Sequence, residues 1–154
     1  MEANKEQLQV DVRYAQRLCE RTARFYRRIQ TSLTFLTMLA GSGAIAALSA
    51  RMPAISTGLG IAFAICVSIN MAVRPADHIA ANDADVRKYA ALLAKAHGLD
   101  AAALAGLLSE ARLSDTAEIE PLRAVAYNDV MLEIDRPDAL IELGRFQKFL
   151  GALA

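Results

Sequence analysis

The chain has 154 residues, 55% of them apolar and 22% charged, and its 17 basic and 17 acidic side chains cancel. That charge fraction is ordinary, so the apolar excess has to be concentrated somewhere, and the length leaves room for one domain or for a membrane hairpin with a small water-soluble part. Two cysteines, Cys19 and Cys66, lie in different segments, which excludes a disulfide scaffold or a cysteine-based metal site and marks both as reduced packing residues.

From Asn4 to Arg28 there is no Gly or Pro, and the stretch reads as one helix. Leu8, Val12, Ala15, Cys19, Thr22, Tyr26 and Ile29 recur at spacings of four and three, a heptad-like stripe suited to packing on another helix; Tyr14, Leu18 and Phe25 widen it. Arg13, Arg17, Arg21, Arg24 and Arg28 form a second stripe, displaced around the axis. With Lys5 and Arg27 they make seven basic residues against four acids over residues 1–28, a net of +3, whereas residues 74–154 carry nine basic residues against thirteen acids, a net of −4. The overall neutrality hides a basic arm and an acidic tail.

Residues 29–50 contain no charged side chain and no histidine, and neither do residues 52–73; Arg51 alone interrupts the zone. As helices these 22-residue runs would each rise about 33 Å, the thickness of a bilayer core. Pro53 fits the first turn of the second helix, where its missing N–H costs nothing. Both runs are apolar all round, which predicts two transmembrane helices, 29–50 and 53–73, joined by a very tight turn. The alternative is a hairpin buried in a soluble helical bundle, which so short a chain could hardly cover. A cleavable signal peptide is not expected, because the first apolar run starts behind a long charged helix. Six arginines precede the first span and Arg74, Arg87 and Lys88 follow the second, so both termini are expected in the cytoplasm.

Small residues mark the faces of these spans. Ser56, Gly60, Ala64, Ser68 and Ala72 repeat every four residues on the second; Gly43 and Ala47 share a face of the first. Such ridges let helix backbones approach closely, either to close the hairpin or to join subunits. Asn70 is the most polar side chain in either span; it reaches interfacial water, bonds between helices or lines a polar path in an oligomer.

Past Pro75 the pattern is helical again. A helix over 78–95 ends at Gly98, with Asp100 as the next N-cap; a short helix covers 101–113; Pro121 opens a helix over 122–134; Arg136-Pro137-Asp138 breaks it; and a terminal amphipathic helix over 139–153 carries Leu140, Leu143, Phe146, Phe149 and Leu150. No strand is predicted. The fold class is therefore all-α, divided into a basic amphipathic helix (1–28), a two-span hairpin (29–73) and a helical cytoplasmic tail (74–154).

No catalytic constellation emerges, so an enzyme is not expected, nor a cofactor or metal. His78 and His97 stand nineteen residues apart and suit surface or capping positions; Asp83 and Asp85 read as a solvated helical turn. The arginine stripe, with Arg74, is expected to meet lipid headgroups or a protein partner. Nucleic acid is not expected, since the acidic tail would repel it and no aromatic stacking platform is present.

The order of a basic helix, a two-span hairpin with almost no loop and helical cytoplasmic segments resembles the bacterial two-transmembrane effectors of the SMODS- and SLOG-associating kind, the SLATT proteins. The likeness covers residues 8–95, with Tyr14, Arg17, Tyr26, Arg27 and Arg28 before the spans and Tyr89 after them. Ala126-Tyr127-Asn128-Asp129, ahead of the last helix, also resembles an Ala-x-Asn-acid motif of small two-span bacterial proteins. The resemblance implies a homo-oligomer in the inner membrane that permeabilises it in phage defence or conflict, triggered by a soluble sensor or other partner or by its own tail. The competing expectation is a membrane-anchored adaptor whose tail recruits a soluble protein.

Overall fold

The computed structural model describes residues 2–40, 42, 53–116 and 118–154. Its helices are α1 (Glu2–Ala40), α2 (Pro53–Val73), α3 (Pro75–Ala96), α4 (Ala101–Leu113), α5 (Arg123–Glu133) and α6 (Arg145–Leu153), with short 3-10 turns at Glu120–Leu122 and Pro137–Ala139. The described residues contain no strand, and the protein is all-helical. It divides into two compact units, one made of Met1–Phe25 with His78–Ala154, the other of Tyr26–Asp77.

The first unit has the cores. One buries Val12 and Cys19 of α1 against Tyr89, Leu92 and Ala96 of α3 and Leu104 and Leu108 of α4, with Leu8 and Ala15 packed beside them. The other gathers Leu18 of α1 with Leu122, Ala126, Leu150 and Ala154, flanked by Tyr14 and Phe25. The one widened apolar stripe on α1 thus divides between two cores, because Leu8, Val12, Ala15 and Cys19 point to one sector of the helix and Tyr14, Leu18 and Phe25 to a neighbouring one. A fully buried leucine or aromatic ring of this kind contributes about 1.5–3 kcal/mol.

Local chemistry sets the helix ends. Asp100 caps α4, its Oδ1 accepting the Ala103 N–H at 2.7 Å. α5 closes in a Schellman arrangement: Asp135 takes φ 56°, its N–H donates to Leu132 O, and the Arg136 N–H donates to Met131 O at 2.8 Å.

The last helix is shorter than its apolar spacing suggests. The spacing predicts a helix over 139–153, but only Arg145–Leu153 is α-helical, and Leu140–Leu143 lie outside any helix, Leu140 only closing the 3-10 turn before it. The cause is non-local. Asn128 on α5 accepts the Ile141 N–H at 2.8 Å and donates to the Ile141 carbonyl at 2.7 Å, occupying both backbone groups a helix would need. The helix then restarts at Gly144, whose N–H donates to Gln147 Oε1.

Candidate functional site

The second unit places apolar side chains outward. On the last turns of α1, Phe35, Leu36, Met38 and Leu39 are 47–72% exposed; on α2, Ile55, Ile61, Phe63, Ile65, Ile69 and Met71 are 38–72% exposed. Ile61 and Phe63 lie two residues apart, and so on nearly opposite sides of the helix. Contiguous apolar exposure of this extent marks a surface for contact with a membrane or with another protein. α3 follows α2 with only Arg74 between them, and among the described residues the stretch Thr57–Ala96 is the one long and apolar enough to cross a membrane; its apolar window is 6% buried. A core helix of a soluble protein would be mostly covered.

The ridge Gly60, Ala64, Ser68 and Ala72 lies on this exposed surface, with Ser56 in the same helical row. A methyl added at Gly60 would meet nothing within 4 Å. Gly43 and Ala47 lie outside the described residues. Asn70 is exposed, and its carbonyl accepts the Arg74 N–H at 3.1 Å. Arg74 is itself exposed and sits at φ 47°, a left-handed position that interrupts the helix just before Pro75. On α1, Thr31 and Thr37 donate to the carbonyls of Arg27 and Leu33, so neither hydroxyl is left unsatisfied.

The arginine stripe divides. Arg13 stands 3.6 Å from Glu133; Arg17 bonds Glu20 at 2.9 Å and Glu133 at 2.7 Å; Arg21 grips Asp129 through Nε at 2.7 Å and a terminal nitrogen at 2.9 Å, and also reaches the Gly151 carbonyl. The bond it donates to Glu133 holds the Arg17 guanidinium still more firmly protonated. Thus Arg13, Arg17 and Arg21 engage acids on the tail of their own chain, and Arg24 is exposed. The planar two-point geometry at Asp129, with both partners about four-fifths covered, makes Arg21 the strongest of these contacts.

A second polar cluster is not anticipated from the sequence. Lys88 bonds Asp85 at 2.9 Å, Asp115 at 2.7 Å and the Ala111 carbonyl at 2.8 Å. Tyr89 donates to the other oxygen of Asp115, and both the N–H and the hydroxyl of Thr116 donate to Asp85. Burial and the bond to Asp115 raise the Tyr89 phenol. Burial alone would lower Lys88, but the bonds to Asp115 and Asp85 outweigh it and the net shift is upward. Both groups therefore remain protonated donors, and the cluster ties α3 to the C-terminal end of α4, where a cation suits the free carbonyls. Burial pushes the nearby Cys19 thiol up to about 12, aided by the charges of Asp85, Asp115 and Glu118, which leaves it a neutral packing group. The sequence treats Asp83 and Asp85 alike as solvated residues; Asp85 is buried. The signal that could have found it is Asp85 and Tyr89 at a four-residue spacing on the inner stripe of α3.

No family model, no curated protein and no solved structure matches this chain.

Proposed function

We propose that this chain is a two-span protein of the bacterial inner membrane that assembles as a homo-oligomer and permeabilises the bilayer, without enzymatic chemistry. Residues 29–50 and 53–73 form the spans, both termini lie in the cytoplasm, and residues 1–28 and 74–154 form the soluble part. The observation that carries the reading is the outward apolar surface of Tyr26–Asp77, which lipid can solvate and water cannot. The uncovered row of Gly60, Ala64 and Ser68 supports assembly: in lipid, association depends on close backbone approach, and nothing in the described subunit uses this row. Asn70 would face the polar path of the oligomer, and Arg24 and Arg74 would meet headgroup phosphates.

Reconstitution tests this directly. The protein should resist extraction by salt and carbonate, dissolve in detergent, and release a small dye from vesicles with a steep dependence on its density in the bilayer. Recovery as a dispersed monomer in plain buffer would overturn the membrane reading. Stable insertion without leakage would favour the adaptor reading instead, which draws its support from the separately folded soluble unit.

A further inference from the structure

The carboxy-terminal helix turns two phenyl rings away from the unit that holds it. Its inner face is closed, with Leu150 and Ala154 in a core and Gly151 so near Val125 that an added methyl would come within 3.1 Å. On its outer face Phe146 is 63% and Phe149 61% exposed, one turn apart. Arg145 and Lys148, each one residue before a ring, are exposed as well, and neither enters an ion pair among the described residues. The helix contains no acid; Glu142 lies ahead of its Gly144 cap. Within a segment of net charge −4 (nine basic residues against thirteen acids over 74–154), this face is a local cationic and aromatic exception.

We infer that α6 is an interfacial helix that docks on an anionic phospholipid surface. Phe146 and Phe149 enter the boundary between headgroups and acyl chains while Arg145 and Lys148 pair with phosphates. The charge pattern selects this occupant. Phenyl rings lack a polar handle and gain by leaving water, and the two flanking cations match a surface that is apolar below and negative above. The inference rests on the membrane reading only in that the chain must be held at a bilayer.

The chain has no tryptophan, so single substitutions serve as reporters. Full-length Phe149→Trp and, separately, Ile65→Trp are reconstituted in phosphatidylcholine vesicles, with or without phosphatidylglycerol, and quenched by brominated lipids. Phe149→Trp should show blue-shifted emission and be quenched roughly twofold or more in excess when phosphatidylglycerol is present. High salt, or the added pair Arg145→Gln and Lys148→Gln, should remove that excess. Ile65→Trp should be quenched in both lipids. If Phe149→Trp is unquenched, or quenched equally in both lipids and regardless of the pair, the inference is overturned while the membrane reading stands. A blue shift that rises with protein density but without quenching also overturns it and assigns the face to a second copy. An unquenched Ile65→Trp overturns the membrane reading itself.

Discussion

Asp85 is the residue at which burial and charge most directly oppose each other. Burial pushes its carboxyl upward, but the bonds from Lys88 and Thr116 together win and hold it below the ordinary carboxylate value. A carboxyl depressed in the folded state adds stability above its unfolded pKa and loses it as pH falls through the folded one. Stability of the detergent-solubilised protein should therefore be level around neutrality and drop once the pH goes below about 4. Asp85→Asn should cost about 2–3 kcal/mol at pH 7, because the Lys88 ammonium and the Thr116 donors lose a charged acceptor, and it should flatten the acid limb. Urea midpoints measured across pH check both; an unchanged acid limb in Asp85→Asn would assign the lability to other carboxylates.

The helices themselves were legible wherever the information was local. Spacing placed Leu8, Val12, Ala15 and Cys19 on one inward stripe widened by Tyr14, Leu18 and Phe25, though not that Leu18 enters a separate core flanked by Tyr14 and Phe25, and the cap at Asp100 and the stop at Arg136-Pro137 follow from their own chemistry. What was not legible is what depends on partners far along the chain. Leu140 and Leu143 have helical spacing, yet thirteen residues away Asn128 takes the Ile141 backbone. The Asp85–Thr116 and Lys88–Asp115 bonds span 31 and 27 residues and leave no periodic trace. Asn128→Ala should thus free two backbone groups at once. A loss of about 1–3 kcal/mol is expected, with hydrogen exchange at the Ile141 amide accelerating well before that of the α5 interior. Retained protection at Ile141 would show that packing, not the amide clamp, holds the segment extended.

At the scale of the whole molecule, the charged and the apolar signals of the sequence have different outcomes. The basic arm and acidic tail looked like surfaces for other molecules, but Arg13, Arg17 and Arg21 spend their charge on Glu133 and Asp129 of the same chain, a pairing that composition cannot reveal. The described apolar residues of α1 and α2 keep their surface outward, and among the described residues nothing lies within 4 Å of a methyl added at Gly60. That difference makes Gly60 a clean probe of assembly. Because a larger side chain there meets no atom within reach of its first carbon, Gly60→Leu should leave insertion and the fold of the soluble unit intact. If the row is where subunits meet, the leucine separates the backbones and removes the close packing on which association in lipid depends. The expected result is a shift from oligomer to monomer in crosslinking or single-molecule photobleaching, with dye release reduced about tenfold or more, corresponding to a loss of about one to two kcal/mol in association. Gly60→Ala, small enough to keep the approach, should retain most of the release, and Gly58→Leu, equally unobstructed within the subunit but on a different face, should behave like the unaltered protein. Equal loss in Gly58→Leu and Gly60→Leu would point to helix composition in general and remove the ridge from the explanation.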